Sequence, residues 1–176
     1  LIFKMFNTLA SQFLLKPEIT FLNFGSFGAC VKPVFEKYQA YQLELEQEPV
    51  QFMTVKGLQY LQRSREALAD YVVCSADDVV YVTNPSYGVN IVAKSLKLQK
   101  DDEILTTDLE YGASDRTWNY YCDKVGAKYV RQKIHFPLTT KEEFVDQFFK
   151  GVTPKTKMVF ISHITSTTGL RLPVEE

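Results

Sequence analysis

The sequence predicts an α/β domain in which a parallel sheet is covered by helices on both faces. Two observations carry this. Short β-branched runs alternate with segments of about a dozen residues whose apolar positions recur at helical spacing. The joints between them have strand-turn-helix character, with Asn-Pro or Gly at the junctions. Alternation of this kind implies right-handed crossovers and parallel pairing. At 176 residues and 45% hydrophobic content, the chain is long enough for one sizeable core, so one domain or part of a larger one is expected.

The elements follow in order. The opening LIFKMFNTLASQFLL is apolar with one Lys and no small-residue cleavage site before Lys16-Pro17-Glu18, so residues 1–18 are read as an amphipathic arm rather than a targeting remnant. Val34, Tyr38, Tyr41 and Leu45 mark one helix, and Leu58, Leu61, Leu68 and Val72 a second beyond a break at Pro49. Val79 to Thr83 reads as a strand, turning at Asn84-Pro85 into a helix with Val89, Val92, Ala93 and Leu96 on one face. Strand Glu103 to Asp108 precedes a helix carrying Trp118, Tyr121, Cys122 and Val125, and strand Lys128 to Ile134 follows the turn at Gly126. Thr140 and Glu143 form a capping box ahead of Phe144, Val145, Phe148 and Phe149, and strand Met158 to His163 closes the series. The chain begins with Leu and stops at Leu-Pro-Val-Glu-Glu, which resembles the approach to another helix; missing material is expected.

Composition narrows the function. Twenty basic and 21 acidic residues with no run of either sign give no footprint for nucleic acid. No apolar stretch approaches the roughly 20 residues that span a bilayer, so no membrane partner is expected. Cys30, Cys74 and Cys122 are odd in number and lack C-x-x-C spacing, which argues against a disulfide framework and a zinc site and favours a reducing, cytoplasmic setting. The two histidines, His135 and His163, have no partners at the spacing of a hydrolytic triad or a metal site.

In open parallel sheets, ligands bind where strand ends meet helix starts, and three loops fall there. In Thr83 to Gly88, Asn84 serves as N-cap and Pro85 as first helical residue, leaving the Ser86 and Tyr87 amides and the Ser86 hydroxyl for an anion such as a phosphate. Spacing alone does not separate this from a plainly capped helix. In Asp108 to Ser114, Tyr111 could lie against a planar ligand or simply pack, and Asp108 or Glu110 could move a proton or cap the helix. Ser162 to Gly169 crowds hydroxyls at a strand end, which suits a polar ligand and also ordinary loops; His163 there is read as satisfying local hydrogen bonds.

Taken together, Phe21 to Gly28, Glu48 to Phe52, Asn84 to Asn90, Thr107 to Ala113 and Ser162 to Gly169 resemble, in order, segments of the isopenicillin N epimerase-like branch of the class V aminotransferases. Cysteine desulfurases and selenocysteine lyases share that superfamily. The resemblance runs from about Thr20 to Glu176. It implies the large domain of a fold-type-I pyridoxal phosphate enzyme, three-layered αβα with a mostly parallel sheet, of which residues 19–176 would be the N-terminal part, and a homodimer acting on an amino acid. Ser86 and the Tyr87 amide would grip the cofactor phosphate, Tyr111 would stack on the pyridine ring, Ser166 would lie near the ring hydroxyl, and Gly25 and Ser26 would border the substrate entrance.

Some positions depart from the pattern. Phe24 stands where the branch often has His, Gln51 where Arg is usual, and Ser114 where related desulfurases carry Asn, so substrate handling is expected to differ. The family's Schiff-base Lys and the Asp that pairs with the pyridinium nitrogen belong beyond the region matching Glu176. The chain is therefore expected to bind cofactor, not to react by itself, in an enzyme of the epimerase or C–S lyase type working at the α-carbon. A non-catalytic dimerisation or binding module is the alternative, and a Rossmann-like nucleotide binder ranks last for want of its glycine fingerprint. In the resembling fold the neighbours of Val79 to Thr83 come from later in the chain, so that strand is expected to have unpaired edges here.

Overall fold

The computed structural model describes residues 9–25 and 27–176. The chain divides into two compact units, Leu1–Val80 and Tyr81–Glu176, considered one at a time.

In the first unit, the described part of the predicted arm meets the start of helix α1 (Lys32–Gln47) through a single antiparallel bridge, Phe13 to Val31. The Lys32 amide donates to the Gln12 carbonyl at 2.7 Å and its ammonium to the Ser11 carbonyl at 2.7 Å. The predicted break falls at Glu48. Helical backbone resumes at Pro49–Gln51, widens into a π-helical turn at Phe52–Lys56, and continues as α2 (Gly57–Val72). Glycine is required where that turn closes, because a Cβ on Gly57 would lie 2.9 Å from the Phe52 carbonyl oxygen. The turn brings Lys56 to 3.0 Å from Glu44 on α1, and the Tyr60 hydroxyl also donates to the Glu44 carboxylate at 3.1 Å. The Lys56 hydrogen bond, opposed by desolvation and assisted by Tyr60, holds the Glu44 carboxyl below its ordinary value.

The second unit contains the sheet. Its elements are α3 (Pro85–Ser95), β1 (Glu103–Thr107), α4 (Gly112–Val125), β2 (Lys128–Gln132), α5 (Lys141–Phe149) and β3 (Thr156–Val159). The strand order is β2-β1-β3, all parallel. Glu103 lies opposite Lys128 through to Thr107 opposite Gln132, and a register shift between Glu103 and Ile104 interrupts the pairing with β3.

All five residues of β1 are buried, the signature of a central strand covered on both faces. Successive side chains alternate between faces. Ile104 joins Ala93 of α3 and Trp118 and Cys122 of α4 in one cluster, while Leu105 joins Ile134, Leu172, and Phe144 and Phe148 of α5 in another. The layers are thus α3 and α4, the sheet, and α5. The turn from α4 into β2 is made by Gly126 at φ 74°, a left-handed conformation costly for side-chain-bearing residues. The Thr140 hydroxyl accepts the Glu143 amide at 3.1 Å as the capping box predicts, but the returning Glu143 carboxylate takes the Thr139 amide and hydroxyl, one residue earlier.

One predicted strand is corrected. Val79 to Thr83 forms no strand among the described residues; Val80 is 76% exposed. Its β-branched composition suits a ladder, but the three strands hydrogen-bond only to one another, and β propensity without a neighbouring strand leaves an extended segment.

Leu105→Ala is expected to cost about 2–5 kcal/mol, because Ile134, Phe144, Phe148 and Leu172 around it cannot collapse into the space it leaves. Urea denaturation monitored by circular dichroism measures this; a loss under ~1 kcal/mol would contradict the two-faced burial of β1.

Candidate functional site

Parallel strands point one way, so their C-terminal ends form one edge; two of the three loops singled out in the sequence, Asp108 to Ser114 and Ser162 to Gly169, leave it, whereas Thr83 to Gly88 follows no strand among the described residues and is brought near by α3. β1 passes through residues 108–111 into α4, β2 through residues 133–140 into α5, and β3 through residues 160–162 into a hairpin.

Helices α3 and α4 run side by side. Asn90 donates to the Ser86 carbonyl at 2.9 Å and to the Thr117 hydroxyl at 3.3 Å, and that hydroxyl donates to the Ala113 carbonyl at 2.9 Å; further along, Ala93 shares a core cluster with Trp118 and Cys122. Contacts advance in the same direction along both helices, so they are parallel, with neighbouring N-termini. Those N-termini carry Ser86 and Tyr111.

At the start of α3, Asn84 is extended and its side chain accepts the Tyr87 amide at 2.8 Å, while the Gly88 amide donates to the Asn84 carbonyl at 3.2 Å. The reading that left both the Ser86 and Tyr87 amides open is corrected: an N-cap side chain satisfies the donor three residues on, here Tyr87. The Ser86 amide and hydroxyl donate to nothing among the described residues, and only the Ser86 carbonyl is engaged, by Asn90. The first turn of α3 holds no acidic residue, whereas α4 has Asp115 and α5 has Glu142 and Glu143 in theirs. Of these helix starts, α3 therefore offers an anion the most favourable field.

Tyr111 is the N-cap of α4, with no side-chain cap and its residue 53% exposed, so its ring is available to a ligand. Neither Asp108 nor Glu110 caps the helix. Asp108 accepts the Ile134 amide at 3.1 Å beyond β2; Glu110 accepts the Ser162 amide at 2.8 Å and the Ser162 hydroxyl at 2.6 Å beyond β3. Glu110 and Ser162, 52 positions apart, are the pair that sequence reasoning missed. The only signal was two polar residues each placed just past a strand. Asp115 is neutralised by Arg131, whose guanidinium meets both carboxylate oxygens at 2.6 and 3.0 Å and lies 4.6 Å from the Tyr129 ring.

Ser166 lies exposed in the turn of the hairpin, whose strands meet at the Ile164 to Arg171 bridge. Beneath it Thr165, 2% exposed, bonds to the Thr168 hydroxyl at 2.6 Å and accepts the Leu170 amide. The His163 side chain makes no hydrogen bond among the described residues; only its carbonyl is used, by Leu172. Gly25 is an exposed turn residue of the first unit, and Ser26 lies outside the described residues. Among the described residues, no group of His, Cys, Asp and Glu is placed to hold a metal, and no helix is long and apolar enough to cross a membrane.

Below the edge, Thr106, Trp118 and Tyr129 each bury a polar atom without a hydrogen-bond partner. Burial pushes the Tyr129 phenol up to about 12; the nearby Thr106 hydroxyl opposes the rise without reaching hydrogen-bond geometry, and Asp115 and Glu110 add to it.

A parallel sheet with helices on both faces defines an α/β protein of the open-sheet class, in which ligands bind at the carboxyl ends of the strands. The chain belongs to the aminotransferase class-V family, whose model matches residues 29–176. It is 30% identical to isopenicillin N epimerase of Streptomyces clavuligerus over 94% of this chain and 42% of that protein. With a probable cysteine desulfurase of Vibrio cholerae it shares 30% identity over 70% of this chain and 31% of that one. A solved structure of a C-DES variant, with glycine covalently linked to its pyridoxal phosphate, superposes with a TM-score of 0.79 at 24% identity, covering 93% of this chain and 43% of that one. The fold is that of the fold-type-I pyridoxal phosphate enzymes, and class-V aminotransferases use that cofactor. The chain spans less than half the length of these relatives.

The Tyr129 environment has a consequence for pH. Its folded value lies above the ordinary 10, so the unfolded chain releases the proton first and stability falls between pH 10 and about 12. In Tyr129→Phe this part of the decline should be absent from denaturation curves collected across that window; an identical decline in both proteins would contradict the assignment.

Proposed function

We propose that this chain supplies the phosphate-gripping and ring-facing half of a pyridoxal phosphate site, in an enzyme acting at the α-carbon of an amino acid, of the epimerase or C–S lyase type. The observation that carries this reading is the pairing of an unspent Ser86 amide and hydroxyl, at a helix start without acidic residues, with the exposed ring of Tyr111 on the adjacent, parallel helix. The family match supports it, as do the names of the relatives, an epimerase and a probable cysteine desulfurase.

The residues present fit that cofactor. Ser86 offers two donors to a phosphate, and the α3 dipole adds favourable field. The Tyr87 amide, being spent on Asn84, orients the helix start instead of touching the ligand. Tyr111 would cover one face of the pyridine ring and exclude water from it. Ser166, in the hairpin turn that Thr165 braces, would donate toward the ring hydroxyl. When bound, pyridoxal phosphate supplies an electron sink for charge developing at the substrate α-carbon.

The assembly is a homodimer in this reading. Support comes from α1, which buries none of its residues and leaves Val34, Tyr38 and Leu43 exposed. A cytoplasmic location is supported by Cys30 and Cys74, both exposed free thiols.

Fluorescence titration of the chain with pyridoxal phosphate tests the reading. Ser86→Ala should weaken binding about 10-fold through loss of a hydrogen bond to a charged group. Tyr111→Ala should weaken it about 3- to 10-fold through lost ring contact. Pyridoxal without its phosphate should bind equally to the parent and Ser86→Ala. Absence of saturable binding, or variants indistinguishable from the parent, would overturn the proposal.

A further inference from the structure

The loop that carries Tyr111 is not held by Tyr111 itself. The residue is half exposed, and no side chain caps the helix it opens. What fixes residues 108–111 are side chains on either side of the ring-bearing residue's loop. The Thr107 hydroxyl accepts the Leu109 amide at 3.2 Å, Asp108 reaches the backbone beyond β2, and Glu110 reaches Ser162 beyond β3. The loop leaving the central strand is thus moored to both neighbouring strands.

The Glu110 mooring differs in kind from the other two. Both carboxylate oxygens are used, one by the Ser162 amide at 2.8 Å and the other by the Ser162 hydroxyl at 2.6 Å. Two parallel bonds to one residue fix rotation as well as distance, and hydrogen bonds to a charged acceptor are about twice as strong as neutral ones. Ser162 in turn leads directly into the hairpin. The Leu172 amide donates to the His163 carbonyl at 2.8 Å, the Thr165 amide to the Leu170 carbonyl at 3.0 Å and the Gly169 amide to the Thr165 carbonyl at 2.9 Å, so the segment carrying Ser166 moves as one piece.

From this geometry we infer that Glu110 is a positioning residue, setting the Tyr111 loop and the Ser166 hairpin relative to each other so that the two form one preorganised wall of the cofactor pocket. The inference rests on the proposed reading of the site. Glu110 does not act as the helix cap, since Tyr111 occupies that position, and both its oxygens already serve Ser162. Its effect on cofactor passes through Tyr111 and Ser166: if the mooring is lost, binding must order two loops that are otherwise set in advance.

The experiment compares the full chain with Glu110→Ala, Glu110→Gln, Tyr111→Ala and the Glu110→Ala/Tyr111→Ala double variant. Glutamine retains both contacts, because its carbonyl oxygen accepts the Ser162 amide and its amide nitrogen donates to the Ser162 hydroxyl oxygen. Pyridoxal phosphate affinity should fall about 10-fold in Glu110→Ala, return to within about 2-fold of the parent in Glu110→Gln, and fall in the double variant by clearly less than the product of the two single losses, the part that remains passing through Ser166. That non-additivity is what a merely structural residue would not produce. In the unliganded chain, hydrogen exchange at the Ser162 amide should quicken about 10-fold or more in Glu110→Ala and stay slow in Glu110→Gln.

Parent-like cofactor affinity in Glu110→Ala, additive losses in the double variant, or failure of glutamine to restore binding would each overturn the inference while leaving the cofactor site standing. Unchanged Ser162 exchange in Glu110→Ala would overturn the mooring itself. If the parent chain binds no pyridoxal phosphate, the site reading fails first and the positioning role fails with it.

Discussion

The burial of β1 on both faces is the constraint from which the rest of the second unit follows. A strand with Ile104 facing one helical layer and Leu105 the other cannot be rotated or shifted by one residue without driving Thr106 or Glu103 into an apolar cluster. Parallel pairing on both sides then sends all three strand ends to the same edge. The edge is where helix starts, exposed rings and loop hydroxyls gather, so the location of the site is a consequence of core packing before any site residue is considered.

Electrostatics divides the edge. The starts of α4 and α5 carry acidic residues that complement their own helix dipoles, and Asp115 is further tied up by Arg131. Each is thereby closed to an anion. At α3 the dipole is capped only by the neutral Asn84 side chain, and Ser86 retains an amide and a hydroxyl. In the proposed site, α3 would take the phosphate and its neighbour α4 would present the ring of Tyr111, because the two helices are parallel and start side by side. Two further acidic residues on the edge do mechanical work: Asp108 and Glu110 bind backbone amides across strand ends and stiffen the loop before Tyr111.

Much of this was legible in the sequence because it depends on local pattern. The alternation of β-branched and helical segments located β1, β2 and β3 to within about two residues at their starts. Asn84-Pro85 and Thr140 named two helix starts correctly. What was not legible depends on partners. Val79 to Thr83 has strand composition but no ladder, and composition does not report whether a neighbour is available. The Tyr87 amide was expected to be open because Asn84 was recognised as a cap without following its oxygen to the donor it takes. Glu110 and Ser162 are 52 residues apart, and nothing in either segment names the other; only the parallel arrangement of β1 and β3 does so. The π-helical turn before Gly57 was likewise hidden inside an ordinary amphipathic pattern.

A difference electron-density map from crystals of the chain grown with pyridoxal phosphate bears most directly on the claim that one sheet edge holds both ends of the cofactor. The account predicts phosphate density about 3 Å from the Ser86 amide, with the pyridine ring lying on Tyr111. Ordered cofactor seated elsewhere, or phosphate at the start of α4 or α5 instead of α3, would contradict it.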